Sequence, residues 1–174
     1  PMPTTPPAAA ADVARWVDEA VASTAVYDLH THLYPPNFGG LMLWGIDELL
    51  NYHYLIAEFF RYSTLSYEEF WKLEKLAQAD LIWRVLFVEN TPLSEATRGV
   101  IAVLKSFGLD TNAADLREAR EFFAEQKPDE FLDRVLKASR VSDVVMTNDP
   151  LDETEINIWN ETGKFDEDQP RDRR

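Results

Sequence analysis

Cysteine is absent from this 174-residue sequence, and only three histidines are present. Without cysteine the chain has neither disulfides nor thiolate ligands, so a metal site would need imidazole and oxygen ligands. Basic residues are also scarce, because 17 Lys and Arg stand against 31 Asp and Glu, for a formal net charge of -14. We therefore expect no nucleic-acid partner and no binding to anionic membranes, since clustered Lys and Arg bind both.

Long apolar runs are absent too: none approaches the roughly 20 residues that a membrane-spanning helix needs. The chain is nevertheless 45% apolar and 12% aromatic, which supplies a hydrophobic core. Its length suits one domain or slightly more. Together with the lack of cysteine, which is compatible with a reducing compartment, these features predict a soluble cytoplasmic protein.

Two of the histidines, His30 and His32, end a mostly apolar segment that predicts a β-strand over residues 25–32. Alternate side chains of a strand share a face, so both imidazoles would point the same way where the strand ends. Asp28 would share that face, and we expect it to orient a neighbour or accept a hydrogen bond rather than bind metal. The pair is half of a metal site, with an unmetallated structural pair as the alternative.

Helical spacing of apolar residues predicts a helix from Asp12, docked on the sheet of the first strand, and five successive helices after that strand. The first two of the five are expected to be continuous over 46–60 and 66–88. His53 falls on the apolar stripe of the first, so it is open to both a core and a functional interpretation. The start signals of the five helices are Gly45, Ser66 with Glu69, Thr91 with Pro92, Asn112 with Asp115, and Lys127 with Pro128.

A second strand is predicted over Val141–Thr147, with the continuous apolar run typical of a parallel strand buried on both faces. The crossover between the strands is far longer than a parallel pair requires, so the helical block is interpreted as an insertion. A polar loop at Asn148–Pro150 and a final helix capped by Asp152 follow.

The organisation predicted from these elements has four parts. Residues 1–34 hold the first helix and strand, residues 35–139 the helical insertion, and residues 140–163 the second strand and last helix. Residues 164–174 form a charged tail that is expected to be mobile.

The stretches YDLHTHLYPP and LMLWGIDELLNYHYLIAEFFR, followed later by VSDVVMTNDPLD, resemble the uronate isomerases, a branch of the amidohydrolase superfamily. The resemblance implies an α/β fold: the first two strands of a metal-dependent (β/α)8 TIM barrel with a large α-helical insertion, predominantly α by residue count. A complete barrel takes about 250 residues. The chain is therefore expected to be the N-terminal portion of such an enzyme.

The same resemblance implies roles for particular residues. His30 and His32 would bind a divalent metal, with Zn²⁺ as the expected ion, and His53 and Tyr54 would hold a sugar-acid substrate. The family usually has an arginine soon after the His-Tyr pair, and Arg61 is the nearest basic candidate for binding the carboxylate. In the polar loop, an asparagine replaces the family's first aspartate before Asp149. No residue of this chain is assigned as the general base.

The implied activity is the aldose–ketose isomerisation of a hexuronate such as glucuronate or galacturonate. The chain alone is expected to be inactive, because its metal site would have to be completed by the remainder of the barrel or by a homo-oligomer partner. Two alternatives stay open: a non-catalytic helical interaction module, and a fragment of an amidohydrolase-type hydrolase.

Overall fold

The computed structural model describes residues 10–32 and 43–147, together with residues 153, 156 and 157. This part of the protein is mostly helical, with a small sheet of two parallel strands. It divides into two compact units: a sheet unit (residues 10–32 and 131–147) and a helical unit (residues 43–130). The elements are α1 Ala10–Ser23, β1 Val26–Thr31, α2 Ile46–Leu50, α3 His53–Tyr62, α4 Tyr67–Trp71, α5 Lys75–Trp83, a π-helical turn Arg84–Val88, α6 Glu95–Ser106, α7 Arg117–Glu125, α8 Pro128–Ser139 and β2 Val141–Met146.

The predicted loop Asn148–Pro150, the cap at Asp152 and the tail 164–174 lie outside the described residues. Of the predicted last helix, residues 153, 156 and 157 are described, and all three are helical. None of the described helices is both long and apolar enough to cross a membrane.

The two strands of the sheet unit pair in parallel, as their sequence patterns predict. At one end of the sheet, the N–H of Val26 donates to the carbonyl oxygen of Arg140 at 2.8 Å. At the other end, the N–H of Thr147 donates to the carbonyl oxygen of Thr31, also at 2.8 Å. Each strand is slightly shorter than predicted, so His32 follows the last residue of β1.

Arg140 joins the end of α1 to the start of the sheet. Its φ of 55° lies in the left-handed region, which non-glycine residues rarely adopt. Its guanidinium donates to the carbonyl oxygens of Val21 at 2.8 Å and Thr24 at 3.3 Å, at the C-terminal end of α1. Carbonyl groups in the last turn of a helix have no hydrogen-bond partner within the helix. The side chain of Arg140 therefore caps α1 from a distant part of the sequence.

Helix α1 begins at Ala10 rather than at the predicted cap Asp12. Its apolar face is only partly covered: Val13, Val17 and Val21 are exposed, while Trp16 is half-buried. The prediction that this face is docked on the sheet is therefore wrong for the valines in the part of the chain that is described.

Two substitutions of Arg140 distinguish the contribution of its side-chain hydrogen bonds from the cost of its backbone conformation. Arg140→Ala removes both bonds to α1 and should lower the free energy of unfolding by about 1 kcal/mol, a modest loss because the bonds are exposed. Arg140→Gly removes the same bonds, but it also removes the Cβ. A residue with a Cβ pays about 1–2 kcal/mol to adopt a left-handed φ, and glycine does not. The glycine variant should therefore match or exceed the alanine variant in urea unfolding; a clearly less stable glycine variant would contradict this account.

The helical unit has its own core. Ile46, Leu50, Phe59 and Phe70 are each at most 1% exposed, and the rings of Phe59 and Phe70 lie 5.3 Å apart. Further buried residues come from later helices: Ile82, Leu86, Val100, Leu104 and Leu116. Ala119 and Phe123 of α7 are buried as well, so the core draws on the helices from α2 to α7 and joins them in one compact unit.

The first predicted helix of the block is broken into α2 and α3. The break is stabilised by Asn51, whose Nδ2 donates to the carbonyl oxygens of Asp47 at 2.9 Å and Lys75 at 3.0 Å. Tyr52 is extended, with ψ at 140°, and precedes the new helix. As a result His53 lies in the first turn of α3 and is exposed, so the core interpretation of His53 is wrong.

The second predicted helix is also broken. The capping box of Ser66 and Glu69 forms as predicted, and the hydrogen bonds from Ser66 lower the pKa of the Glu69 carboxyl. However, α4 ends at Trp71, and the buried side chain of Gln78 donates to the carbonyl oxygens of Phe70 and Leu73. At the break, a side chain from the next helix thus donates the hydrogen bonds that backbone N–H groups would donate in a continuous helix.

Helix α6 starts three residues later than its predicted start signals, because Ser94 is the cap and its Oγ accepts from the N–H of Thr97 at 3.1 Å. Its end agrees with the prediction. Gly108 has a φ of 74°, and the N–H of the next residue, Leu109, donates to the carbonyl oxygen of Leu104. This is the glycine-dependent end of a helix that the sequence indicates.

Arg120 of α7 clamps three helices of the unit together. Its guanidinium forms a two-pronged pair with Asp47 of α2, the shortest bond being 2.7 Å, and reaches Asp80 of α5 at 2.8 Å. It also donates to the carbonyl oxygen of Leu76. The hydrogen bond to Asp47 is the main reason that the pKa of Arg120 is raised.

Replacing the guanidinium by an ammonium tests this clamp. Arg120→Lys keeps the charge but loses the planar fork, and should lower the free energy of unfolding by about 1–2 kcal/mol. The matched control is Arg84→Lys, since Arg84 makes a single exposed pair with Glu89 at 3.4 Å. That change should cost less than about 0.5 kcal/mol. If both variants lose the same free energy of unfolding in urea, the planar guanidinium of Arg120 contributes no more to stability than an exposed ion pair.

Candidate functional site

His30 and His32 lie together at the end of β1, in the sheet unit. Their ring centres are 5.2 Å apart, their planes are nearly perpendicular at 87°, and both side chains are exposed. Two imidazoles bound to one tetrahedral Zn²⁺, with Zn–N bonds of about 2.0–2.1 Å, would place their ring centres about 5 Å apart. The spacing of the pair therefore fits two ligands of one ion.

The strand that carries this pair is irregular. From Asp28 to Thr31, β1 advances by three residues while its partner advances by two, from Val144 to Met146. The extra residue is a bulge, in which Leu29 and His30 together face one position of β2. The burial pattern agrees, because Asp28 and Thr31 are the half-buried residues of β1 although they are three apart rather than two.

The carboxylate of Asp28 is engaged at this bulge. Its Oδ1 accepts a hydrogen bond from the backbone N–H of His30 at 3.0 Å. The hydrogen bond agrees with the role expected for Asp28, which is to orient a neighbouring residue. The expectation that Asp28 and His30 share a face by simple alternation is wrong, because the extra residue interrupts the alternation between Asp28 and Thr31.

A third metal ligand is not found near the pair among the residues that the structure describes. In that part of the chain, no group of three or more His, Asp or Glu side chains is close enough to hold a metal ion. The described residues thus supply two imidazoles, and a complete coordination sphere would need ligands from elsewhere.

His53 and Tyr54, in the helical unit, belong to an exposed cluster of three rings with Tyr52. The imidazole of His53 lies 4.2 Å from the ring centres of both tyrosines, which are themselves 5.4 Å apart. The side chain of Tyr54 is 62% exposed. An imidazole and two phenols at the start of a helix offer hydrogen-bond donors and acceptors together with flat apolar surfaces, a combination suited to a polar ring such as a sugar.

Tyr52 is the member of this cluster that the sequence reasoning did not single out. The signal was present in the Tyr-His-Tyr run, but a continuous helix over this region would have turned the three side chains in different directions. The break before α3 places Tyr52 at the cap, where its ring contacts His53.

Arg61 is exposed in the last turn of α3. It lies eight positions after His53, so helix geometry places it about 12 Å further along the axis. The structure therefore brings His53 and Tyr54 into contact and leaves Arg61 at the other end of the same helix.

Comparison with known proteins identifies a solved relative. The crystal structure of a uronate isomerase from Bacillus halodurans matches this chain with 51% sequence identity and a TM-score of 0.78. The match covers 84% of this chain and 35% of the length of that enzyme, which agrees with the prediction of a portion of a longer enzyme. No protein-family model matches the chain, and no curated protein does. The resemblance of this chain to the uronate isomerases is thus confirmed over most of its length.

Proposed function

We propose that this chain is part of a uronate isomerase that interconverts the aldose and ketose forms of a hexuronate. The observation that carries the proposal is the 51% identity to a uronate isomerase over 84% of the chain. Because the chain spans only 35% of that enzyme's length, the activity is proposed for the complete protein. Glucuronate and galacturonate are the substrates to test first.

The fold proposed for the complete protein is a (β/α)8 barrel, of which β1 and β2 are the first two strands. Two properties of the sheet unit support this. Parallel sheets are normally covered on both faces, and two strands alone are marginally stable. Here Val17, Val21 and Leu29 are 42%, 61% and 69% exposed, as expected if further strands and helices cover them in the complete protein.

The proposed metal ligands are His30 and His32, whose spacing of 5.2 Å between ring centres suits a shared Zn²⁺. Such an ion supplies Lewis-acid polarisation of substrate oxygens. The pair lies at the carboxyl end of a parallel strand, which is where barrel enzymes bind their substrates. The other ligands and the base that moves a proton from C2 to C1 would come from residues outside this chain.

His53 and Tyr54 are proposed to bind the sugar acid. Both are exposed, and their ring centres lie 4.2 Å apart. Binding a hydroxyl or carboxylate would use the Tyr54 phenol and an imidazole nitrogen as hydrogen-bonding groups. Arg61 is the proposed candidate for pairing with the carboxylate, with the sugar acid lying along α3 so that its carboxylate points toward the exposed guanidinium.

The activity is tested on the complete protein with glucuronate and galacturonate, with and without added Zn²⁺. Turnover of at least one substrate is expected, and His30→Ala with His32→Ala should abolish both turnover and stoichiometric zinc. His53→Asn is the matched control, because we expect it to keep the zinc and lose only substrate binding. Failure to turn over either sugar acid in the zinc-loaded protein would refute the proposed activity, and loss of zinc in His53→Asn would refute the division of roles.

Two exposed tyrosines of the helical unit test substrate binding. Tyr54→Phe removes one hydrogen-bonding group and should lower kcat/KM about 3–10-fold, the equivalent of a single neutral hydrogen bond. Tyr67→Phe is the control, since Tyr67 is similarly exposed at 67% but belongs to a different helix, α4. An equal loss in both variants, measured by steady-state kinetics, would contradict a specific role for Tyr54.

A further inference from the structure

We infer that Asp28 is a positioning residue for the imidazole pair: its carboxylate holds the bulge of β1 that sets the backbone of His30. The inference rests on the proposed function, in which His30 and His32 bind a metal. It assigns to Asp28 a hydrogen bond to the protein backbone rather than a bond to the ion.

The first step concerns the backbone at the bulge. Leu29 and His30 together face one position of β2, so the regular ladder of hydrogen bonds is interrupted there. Backbone N–H groups need partners, and the N–H of His30 donates to Asp28 Oδ1 at 3.0 Å. A side chain two residues earlier thus takes the place of an acceptor from the neighbouring strand.

The second step concerns the imidazole. The side chain of His30 is exposed, so packing restrains it weakly and the backbone to which it is attached decides where it points. A change in the backbone at His30 would alter the separation of 5.2 Å between its ring and that of His32. Groups that hold metal ligands in place typically change metal affinity about 10–100-fold when they are removed.

The third step separates this role from direct ligation. Asp28 Oδ1 is occupied by the backbone N–H of His30, and an asparagine side chain could accept that same bond through its amide oxygen. A negatively charged ligand, in contrast, could not be replaced by a neutral amide without loss of affinity. Asp28→Asn and Asp28→Ala therefore distinguish the two roles.

The experiment uses the complete protein with Asp28→Asn and Asp28→Ala, and Asp143→Ala as the matched control. Asp143 is an acidic residue of the same sheet, paired in register with Tyr27 on β1. Two quantities are measured: Zn²⁺ affinity by competition with a chelator, and hydrogen exchange of the His30 amide by NMR of the metal-free, ¹⁵N-histidine-labelled protein. Circular dichroism identifies any variant that fails to fold.

A positioning role predicts that Asp28→Asn keeps a protected His30 amide and a Zn²⁺ affinity within about threefold of the parent protein. Asp28→Ala should accelerate exchange of that amide and weaken Zn²⁺ binding about 10–100-fold, while Asp143→Ala changes neither. If Asp28→Asn and Asp28→Ala weaken Zn²⁺ binding equally, Asp28 is a metal ligand and the inference is overturned. The inference is also overturned if the His30 amide exchanges at the same rate in the parent protein and in all variants. Because exchange is measured without metal or substrate, loss of the proposed isomerase activity alone leaves this result interpretable.

Discussion

The hydrogen bond from the N–H of Val26 to the carbonyl oxygen of Arg140 fixes where the two strands of the sheet unit begin to pair. A parallel pair has no tight turn to set its register, so another contact has to do so. Arg140 is suited to this because the same residue also binds the carbonyl oxygens of Val21 and Thr24 at the end of α1. The end of α1, the first residue of β1 and the residue before β2 are thereby held at one point.

This fixed start has a consequence for the histidines. Val26 pairs with Val141 and Thr31 with Met146, so both ends of the sheet have the same offset of 115 residues (141 − 26 and 146 − 31). Between them the offset is 116, as for Asp28 and Val144 (144 − 28). An extra residue in β2 near the start must therefore be matched by an extra residue in β1 before Thr31, and that residue falls at Leu29–His30. The bulge beside the proposed metal pair follows from the pairing at the two ends.

The sequence predicted those features that depend on neighbouring residues. The parallel strands, the capping box at Ser66 and the helix end at Gly108 each follow from local patterns, and the structure contains them. It did not predict the breaks after α2 and α4, because they depend on contacts between separate helices: Asn51 binds the carbonyl oxygen of Lys75, and Gln78 binds that of Phe70. The choice between a core and an exposed position for His53 stayed open for the same reason, since it depends on the first break. The bulge at His30 could not be read from β1 alone, because it exists only relative to β2.

The two units differ in how completely they bury their apolar side chains. The helical unit buries side chains such as Phe59 and Phe70 almost completely, and Arg120 ties three of its helices together. The sheet unit instead leaves Val21 and Leu29 largely exposed, and its two strands are fewer than a stable open sheet normally has. The histidines proposed to bind metal therefore lie in the unit whose apolar side chains are more exposed. The residues proposed to bind substrate lie in a unit with a core of its own, so the two proposed roles, metal binding and substrate binding, depend on different parts of the structure.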